Sequence, residues 1–217
     1  MIKSRPLPSY LVKRFHGWKA TVHAENKAWY ARLAEDGQRP RAMVISCCDS
    51  RVHVTSIFGA ESGDFFIHRN IANLIPPYAP DENFHGTSAA IEYAVNHLHV
   101  SNILLVGHSS CGGVAGCFDM CSGNAPQLED KTSFIGRWID ILRPGFEQVK
   151  SMEGDRAEKL EALEKEGIKL GLSNLMTFPF VAAAVEKGDL DLHGLWNDIK
   201  TGDLEWYDPE KDGFRIV

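Results

Sequence analysis

Two short clusters in this chain hold side chains of the kinds that bind metal ions. The first is Cys47-Cys48-Asp49-Ser50-Arg51; the second, about sixty residues later, is Gly107-His108-Ser109-Ser110-Cys111-Gly112-Gly113. Each follows an apolar run, Ala42-Met43-Val44-Ile45 in one case and Ile103-Leu104-Leu105-Val106 in the other. Two such runs in one parallel sheet put both clusters on the same edge. Cys47, His108 and Cys111 then offer two thiolates and an imidazole to a single ion. That donor set suits zinc, and three protein ligands leave a fourth position for water or substrate. Asp49 lies two residues beyond Cys47, within reach of that position. Arg51 can pair with Asp49 and keep it ionised and oriented.

Other chemistries fit less well. Cys47 and Cys111 could be plain buried thiols, because free cysteine is among the most buried residue types. An isolated Asp-x-Arg is ordinarily a strand-end ion pair. Redox chemistry could use vicinal Cys47-Cys48 or the pair Cys117 and Cys121. Neither is a Cys-x-x-Cys, and helical spacing puts Cys117 and Cys121 on a core face. Gly107-His108-Ser109-Ser110-Cys111 begins like a nucleophile elbow but lacks its closing glycine. Cys111-Gly112-Gly113 lacks the Gly-Lys-Ser/Thr of a phosphate loop. A metal that merely braces a scaffold would need a fourth protein ligand, and Asp49 is the sole candidate.

The elements that must position these clusters are legible as a pattern. Leu11 to Asp36 reads as helix, broken by Gly37-Gln38-Arg39-Pro40 before the first strand. A second strand is expected at Phe65-Phe66-Ile67-His68, then a loop marked by Pro76-Pro77 and Pro80-Asp81. Gly86-Thr87-Ser88 opens a helix with Ala90, Ile91, Ala94, Val95 and Leu98 on one face, and Thr87 or Ser88 can cap it. It feeds a strand at 102–107, so strand, crossover and strand form a βαβ unit. Further helices are expected from Gly112, from Phe134 to Leu142 (stopped at Pro144-Gly145), from Met152 to about Thr177, and from Val181 to Lys187. Leu192 to Ile199 and Leu204 to Tyr207 read as a β-hairpin adding a strand at one edge. The chain thus reads as one α/β domain. It has an N-terminal helical arm at 1–36, a core at 37–187 and a C-terminal hairpin at 188–217.

With 217 residues and 44% apolar content the chain can bury a real core. Its formal charge of −6, with no basic stripe, points away from nucleic acid and anionic membranes. No apolar run approaches the ~20 residues of a membrane span. Met1 to Pro8 does not read as a signal peptide. Five cysteines, an odd number, argue against a disulfide framework and for a reducing, cytoplasmic setting.

Cys-x-Asp-Ser-Arg, then Arg69-Asn70-Ile71-Ala72-Asn73, then His-x-x-Cys-Gly-Gly resembles the β-class carbonic anhydrase family. The likeness is most specific from Gln38 to Gly113 and extends loosely through the hairpin. It implies an enzyme interconverting carbon dioxide and bicarbonate by attack of a zinc-bound hydroxide. It implies a four-stranded, mainly parallel sheet with an added C-terminal edge strand, flanked by helices. It implies Zn²⁺ on Cys47, His108 and Cys111, and Asp49 with Arg51 as the orienting dyad. It also implies a substrate pocket of Gln38, Phe66, Tyr93 and Gly112, part of it supplied by the second subunit of a homodimer or higher homo-oligomer. Without the resemblance Gln38 reads as a solvated turn residue, Phe66 as a strand core residue and Tyr93 as a helix core residue. Val44 stands where one subgroup carries a tryptophan at a non-catalytic bicarbonate site. The chain is therefore expected to be of the plant type, with Asp49 off the metal and no bicarbonate switch. His53, His68, His85, His97 and His99 are candidate proton carriers, with His97, four residues after Tyr93, placed best. Carbonyl sulfide or carbon disulfide hydrolysis on the same scaffold, a non-catalytic zinc scaffold and a redox sensor are the rival readings.

Overall fold

Ala42–Cys47 (β1) is apolar along nearly its whole length because both of its faces are covered, and all six of its residues are buried. The computed structural model describes residues 4–80 and 85–217. Met1 to Lys3 and Asp81, which ends the loop expected from the prolines, lie outside them. The chain divides into two compact units, Met1–Gln38 and Arg39–Val217.

The first unit contains α1 (Ser9–Trp18), which continues through a π-helical turn at Lys19–His23, and α2 (Lys27–Asp36). No residue of these helices is buried. The rings of Trp18, His23 and Tyr30 pack on one another. Gly37, at φ 71°, ends α2 in a backbone conformation that favours glycine.

The second unit runs β1, α3 (Val54–Ile57), β2 (Phe65–Asn70), α4 (Gly86–Glu92), β3 (Asn102–His108), α5 (Gly112–Cys121), α6 (Phe134–Ile139) and α7 (Arg143–Val149). It continues with α8 (Arg156–Leu175), α9 (Pro179–Glu186), β4 (Asp191–Asn197), β5 (Leu204–Asp208) and β6 (Gly213–Ile216). The sheet order is β2-β1-β3-β4-β5-β6. The first four strands are mutually parallel, and β5 and β6 are antiparallel additions. The expected single edge strand is therefore two. The sixth was not legible because it is four residues long and only partly buried, so it carries little apolar pattern.

Two local expectations are corrected. Pro144 does not stop a helix; it sits in the first turn of α7, where its missing N–H costs nothing. Neither Thr87 nor Ser88 caps α4, whose N-cap position is His85. Thr87 is buried instead, its hydroxyl bonded to His68 Nε2 at 3.0 Å and Asn70 Nδ2 at 3.3 Å.

Parallel strands place equivalent ends side by side. Cys47 is in register with Asn70, Ser46 with Val106, and His108 with Asn197. Helix α8 lies tightly against this sheet. A Cβ added at Gly107 would come within 2.8 Å of Ile168, and one at Gly194 within 2.7 Å of the same side chain. The two glycines let α8 seat Ile168 between β3 and β4. Gly194→Ala is expected to lower stability by about 1–3 kcal/mol through overpacking against Ile168 and Leu172. Urea denaturation of the two proteins checks this, an unchanged midpoint being the contrary result.

Candidate metal centre

At the C-terminal ends of β1 and β3, one ligand atom from each of Cys47, His108 and Cys111 lies within 4.8 Å of the other two. All three residues are buried. The two sulfurs are 3.9 Å apart. Among the described residues the group has three members, and Asp49 is not one of them. His108 Nδ1 lies 2.9 Å from the Ser109 carbonyl, which can only accept, so Nδ1 carries the proton. That leaves the lone pair on Nε2, which is buried without any partner. An orphaned imidazole nitrogen facing two sulfurs is what a tetrahedral thiophilic cation would satisfy, so the donor set fits zinc.

The loops are bent to make this possible. Ser110 (φ 58°), Ala72 (φ 59°) and Asn73 (φ 48°) all sit in the left-handed region. Each costs a non-glycine residue about 1–2 kcal/mol. Ser110 turns the chain so that His108 and Cys111, three apart, converge. At Ala72 the N–H is aimed at Cys47 Sγ, 3.3 Å away. Ser109 ties the second loop to the β4–β5 connection. Its N–H donates to Asn197 O, and its hydroxyl donates to Asp198 Oδ1 and accepts from Ile199 N.

Two arginines hold the first loop. Arg51 donates to Asp49 from Nε at 2.9 Å, from Nη2 at 2.6 Å and from its backbone N–H at 2.9 Å. Its Nη2 also reaches Ser110 O at 3.0 Å, joining the two clusters. Arg69 donates to the carbonyls of Cys47, Asp49 and Val52 at 2.7–2.8 Å. On the opposite side Glu164 of α8 accepts from Cys111 N at 2.9 Å and from the Trp196 indole at 3.1 Å.

Electrostatics follow from these contacts. The Cys111 thiol hydrogen-bonds to the Cys47 sulfur, so Cys47 is drawn down and Cys111 pushed up. Burial opposes the first shift and adds to the second. For His108, burial lowers the pKa, but the Cys47 sulfur and the Ser109 carbonyl raise it more. Burial lifts the Glu164 carboxyl, against the two N–H donors. Asp49 is held well below the usual carboxylate range, first by the Arg51 side chain and then by the Arg51 amide.

Of the remaining sequence-derived site residues, Gly112 adjoins the cluster, while Phe66 and Tyr93 pair with each other farther along the sheet. Phe66 is in register with Met43, four residues before the Asn70–Cys47 pair. At ~3.3 Å per residue the two levels are ~13 Å apart. Tyr93 lies 5.8 Å from Phe66, ring to ring, and 5.3 Å from His97. It is 45% exposed, not the core residue that helical periodicity alone suggests. Gly112, exposed, opens α5 directly after Cys111. Gln38, also exposed, is the last residue of the N-terminal unit. Sequence reasoning missed the roles of Glu164 and of the Ala72 amide, and saw Arg69 only as part of a motif. Glu164 had no signal, because it stands among the many charges of α8.

A parallel α/β sheet carrying a Cys-His-Cys cluster at its strand ends defines a class of metalloprotein rather than a disulfide or phosphate-binding fold. Residues 42–204 match the family model described as carbonic anhydrase. Beta carbonic anhydrase 3 of Arabidopsis thaliana is 36% identical over 197 residues, covering 89% of this chain and 74% of that protein. The solved β-carbonic anhydrase CcaA superposes with a TM-score of 0.85 at 30% identity, covering 96% of this chain and 91% of that one. A structure described as one of two tetrameric β-carbonic anhydrases of Sordaria macrospora has a TM-score of 0.75 at 32% identity, covering 91% and 94%. The chain belongs to the β-carbonic anhydrase family, and its enzyme class is that of the carbonic anhydrases, which are lyases.

Because the folded pKa of Asp49 lies below the unfolded value near ~3.9, its contribution to stability is present above that pH. It is lost as pH falls through the folded value. Carboxyl ¹³C titration should show Asp49 titrating below an ordinary aspartate, and Arg51→Ala should return it to the ordinary carboxylate range. An ordinary value in the unsubstituted protein would remove the pairing described.

Proposed function

We propose that the protein is a zinc-dependent carbonic anhydrase that reversibly hydrates carbon dioxide to bicarbonate and a proton. The observation that carries this reading is the buried, unpartnered His108 Nε2 facing the sulfurs of Cys47 and Cys111. Zinc held there supplies a Lewis acid and a water of lowered pKa.

The chain's own residues do the rest. Cys47, His108 and Cys111 would hold the ion. Asp49, kept ionised by Arg51, would accept a hydrogen bond from the nucleophile and orient it. Its carboxylate is turned onto Arg51 and lies outside the three-member cluster, which supports an open, plant-type site without a bicarbonate switch. Arg69 holds the carbonyls of the loop, so the Asp49 backbone cannot drift. Gly112, without a side chain at the entrance to α5, leaves room for substrate beside the ion. Phe66 lies ~13 Å along β2 from the level of the cluster with Tyr93 against it, which supports a pocket completed by a second copy of the chain, with Phe66 and Tyr93 contributed across the interface. His97, its ring tilted against that of Tyr93, would pass the product proton to solvent from there.

Stopped-flow hydration of carbon dioxide, with metal analysis of the same sample, tests the reading. The expected result is turnover with one equivalent of zinc per chain. A zinc-free or inactive protein would contradict it. Cys47→Ala, His108→Ala and Cys111→Ala are each expected to lose zinc and activity together. Asp49→Ala should keep zinc and lose turnover by about 10–100-fold. Two thiolates make zinc a poorer Lewis acid than neutral imidazoles would, so activity is expected to rise on the alkaline side of neutrality. A profile already flat below pH 6 would count against thiolate ligation. Parallel assays with carbonyl sulfide and carbon disulfide separate the rival substrates.

A further inference from the structure

The N–H of Cys111 is left without a helical partner. Cys111 is the N-cap of α5 (φ −72°, ψ 118°), and the chain reaches it directly from the left-handed Ser110. A buried backbone donor in such a place must be satisfied from elsewhere. The acceptor is the carboxylate of Glu164, which is 5% exposed, against 3% for Cys111. Oε1 takes the Cys111 N–H, and Oε2 takes the indole N–H of Trp196. Glu164 is one turn before Ile168, the residue seated between Gly107 and Gly194. The dock of α8 on the sheet therefore sets the height at which the carboxylate meets the loop.

We infer that Glu164 is a positioning residue: with both oxygens occupied by N–H donors, it fixes the Cys111 backbone and so aims the Cys111 sulfur at the metal. This rests on the reading of Cys111 as a zinc ligand. A glutamine has the same shape but only one acceptor oxygen. In Glu164→Gln the amide NH₂ must therefore face either the Cys111 N–H or the indole N–H, donor against donor. Trp196→Phe removes the indole donor. In that background the glutamine oxygen is free to accept from Cys111 and nothing opposes its NH₂. A residue that only filled space would show no such dependence.

The test measures the rate of zinc transfer from purified protein to a chromogenic chelator, together with the thiolate-to-metal bands of the cobalt-substituted forms. The four proteins are wild type, E164Q, W196F and E164Q/W196F. The expected result is zinc loss about 10–100-fold faster in E164Q, with shifted cobalt bands. E164Q/W196F should return to the W196F rate and spectrum. An E164Q protein that keeps zinc like wild type overturns the inference. So does a double variant that loses zinc as fast as E164Q. If E164Q fails to fold but the double variant folds and retains zinc, the donor conflict is upheld; if both fail to fold, Glu164 is a packing residue and the inference falls. Absence of zinc from wild type would instead sink the metal reading of the previous subsection.

Discussion

Two thiols and an imidazole from two separate loops come together as a buried cluster at the ends of β1 and β3, and most of the second unit is organised around that convergence. Strand pairing does the coarse work. It sets the ends of β1 and β3 side by side in a sheet whose central strands are buried on both faces. Hydrogen bonds do the fine work. Arg51 spans from the Asp49 carboxylate to the Ser110 carbonyl, and Arg69 collects three carbonyls of the first loop. Each guanidinium replaces solvent for carbonyl groups that the tight turns would otherwise strand.

Strain and compensation sit together here. Ala72, Asn73 and Ser110 adopt backbone conformations that non-glycine residues avoid, and all three lie in the loops around the metal cluster. Such conformations persist only where the surroundings over-determine them. The compensating contacts are visible: the Ala72 amide on the Cys47 sulfur, the Ser110 carbonyl under Arg51, and the Cys111 amide on Glu164. The same bonds would serve metal binding, because a donor set that cannot relax favours an ion over alternative arrangements of the thiols.

Much of this was legible residue by residue. The runs Ala42–Ile45 and Ile103–Val106 announce buried strands because a strand covered on both faces has no polar side. Cys47, His108 and Cys111 are recognisable because a thiol in one cluster and a thiol with an imidazole in the other follow equivalent apolar runs. Gly37 and the helical period of apolar positions from Ala90 to Leu98 were equally plain. Less was visible where a side chain's role depends on a partner distant in sequence. Thr87 looked like a helix cap, yet bonds to β2; Tyr93 looked buried, yet stands 45% exposed against Phe66 and His97. Strand β6 was hidden by its brevity, and Pro144 was ambiguous because proline both ends helices and begins them.

By itself the sequence determined the donor types, the order of the four parallel strands and the helix between β2 and β3, and the local turns that place each cluster at a strand end. These follow from side-chain chemistry and from periodicities of 2 and 3.6, which are properties of neighbouring residues. Tertiary structure alone decided the convergence of the two clusters and the freedom of His108 Nε2. It also decided the burial of Glu164 beside Cys111, and the pairing of an exposed Tyr93 with Phe66. Those depend on sheet register and on how closely α8 can approach glycines in β3 and β4. They are long-range distances, which no local pattern encodes.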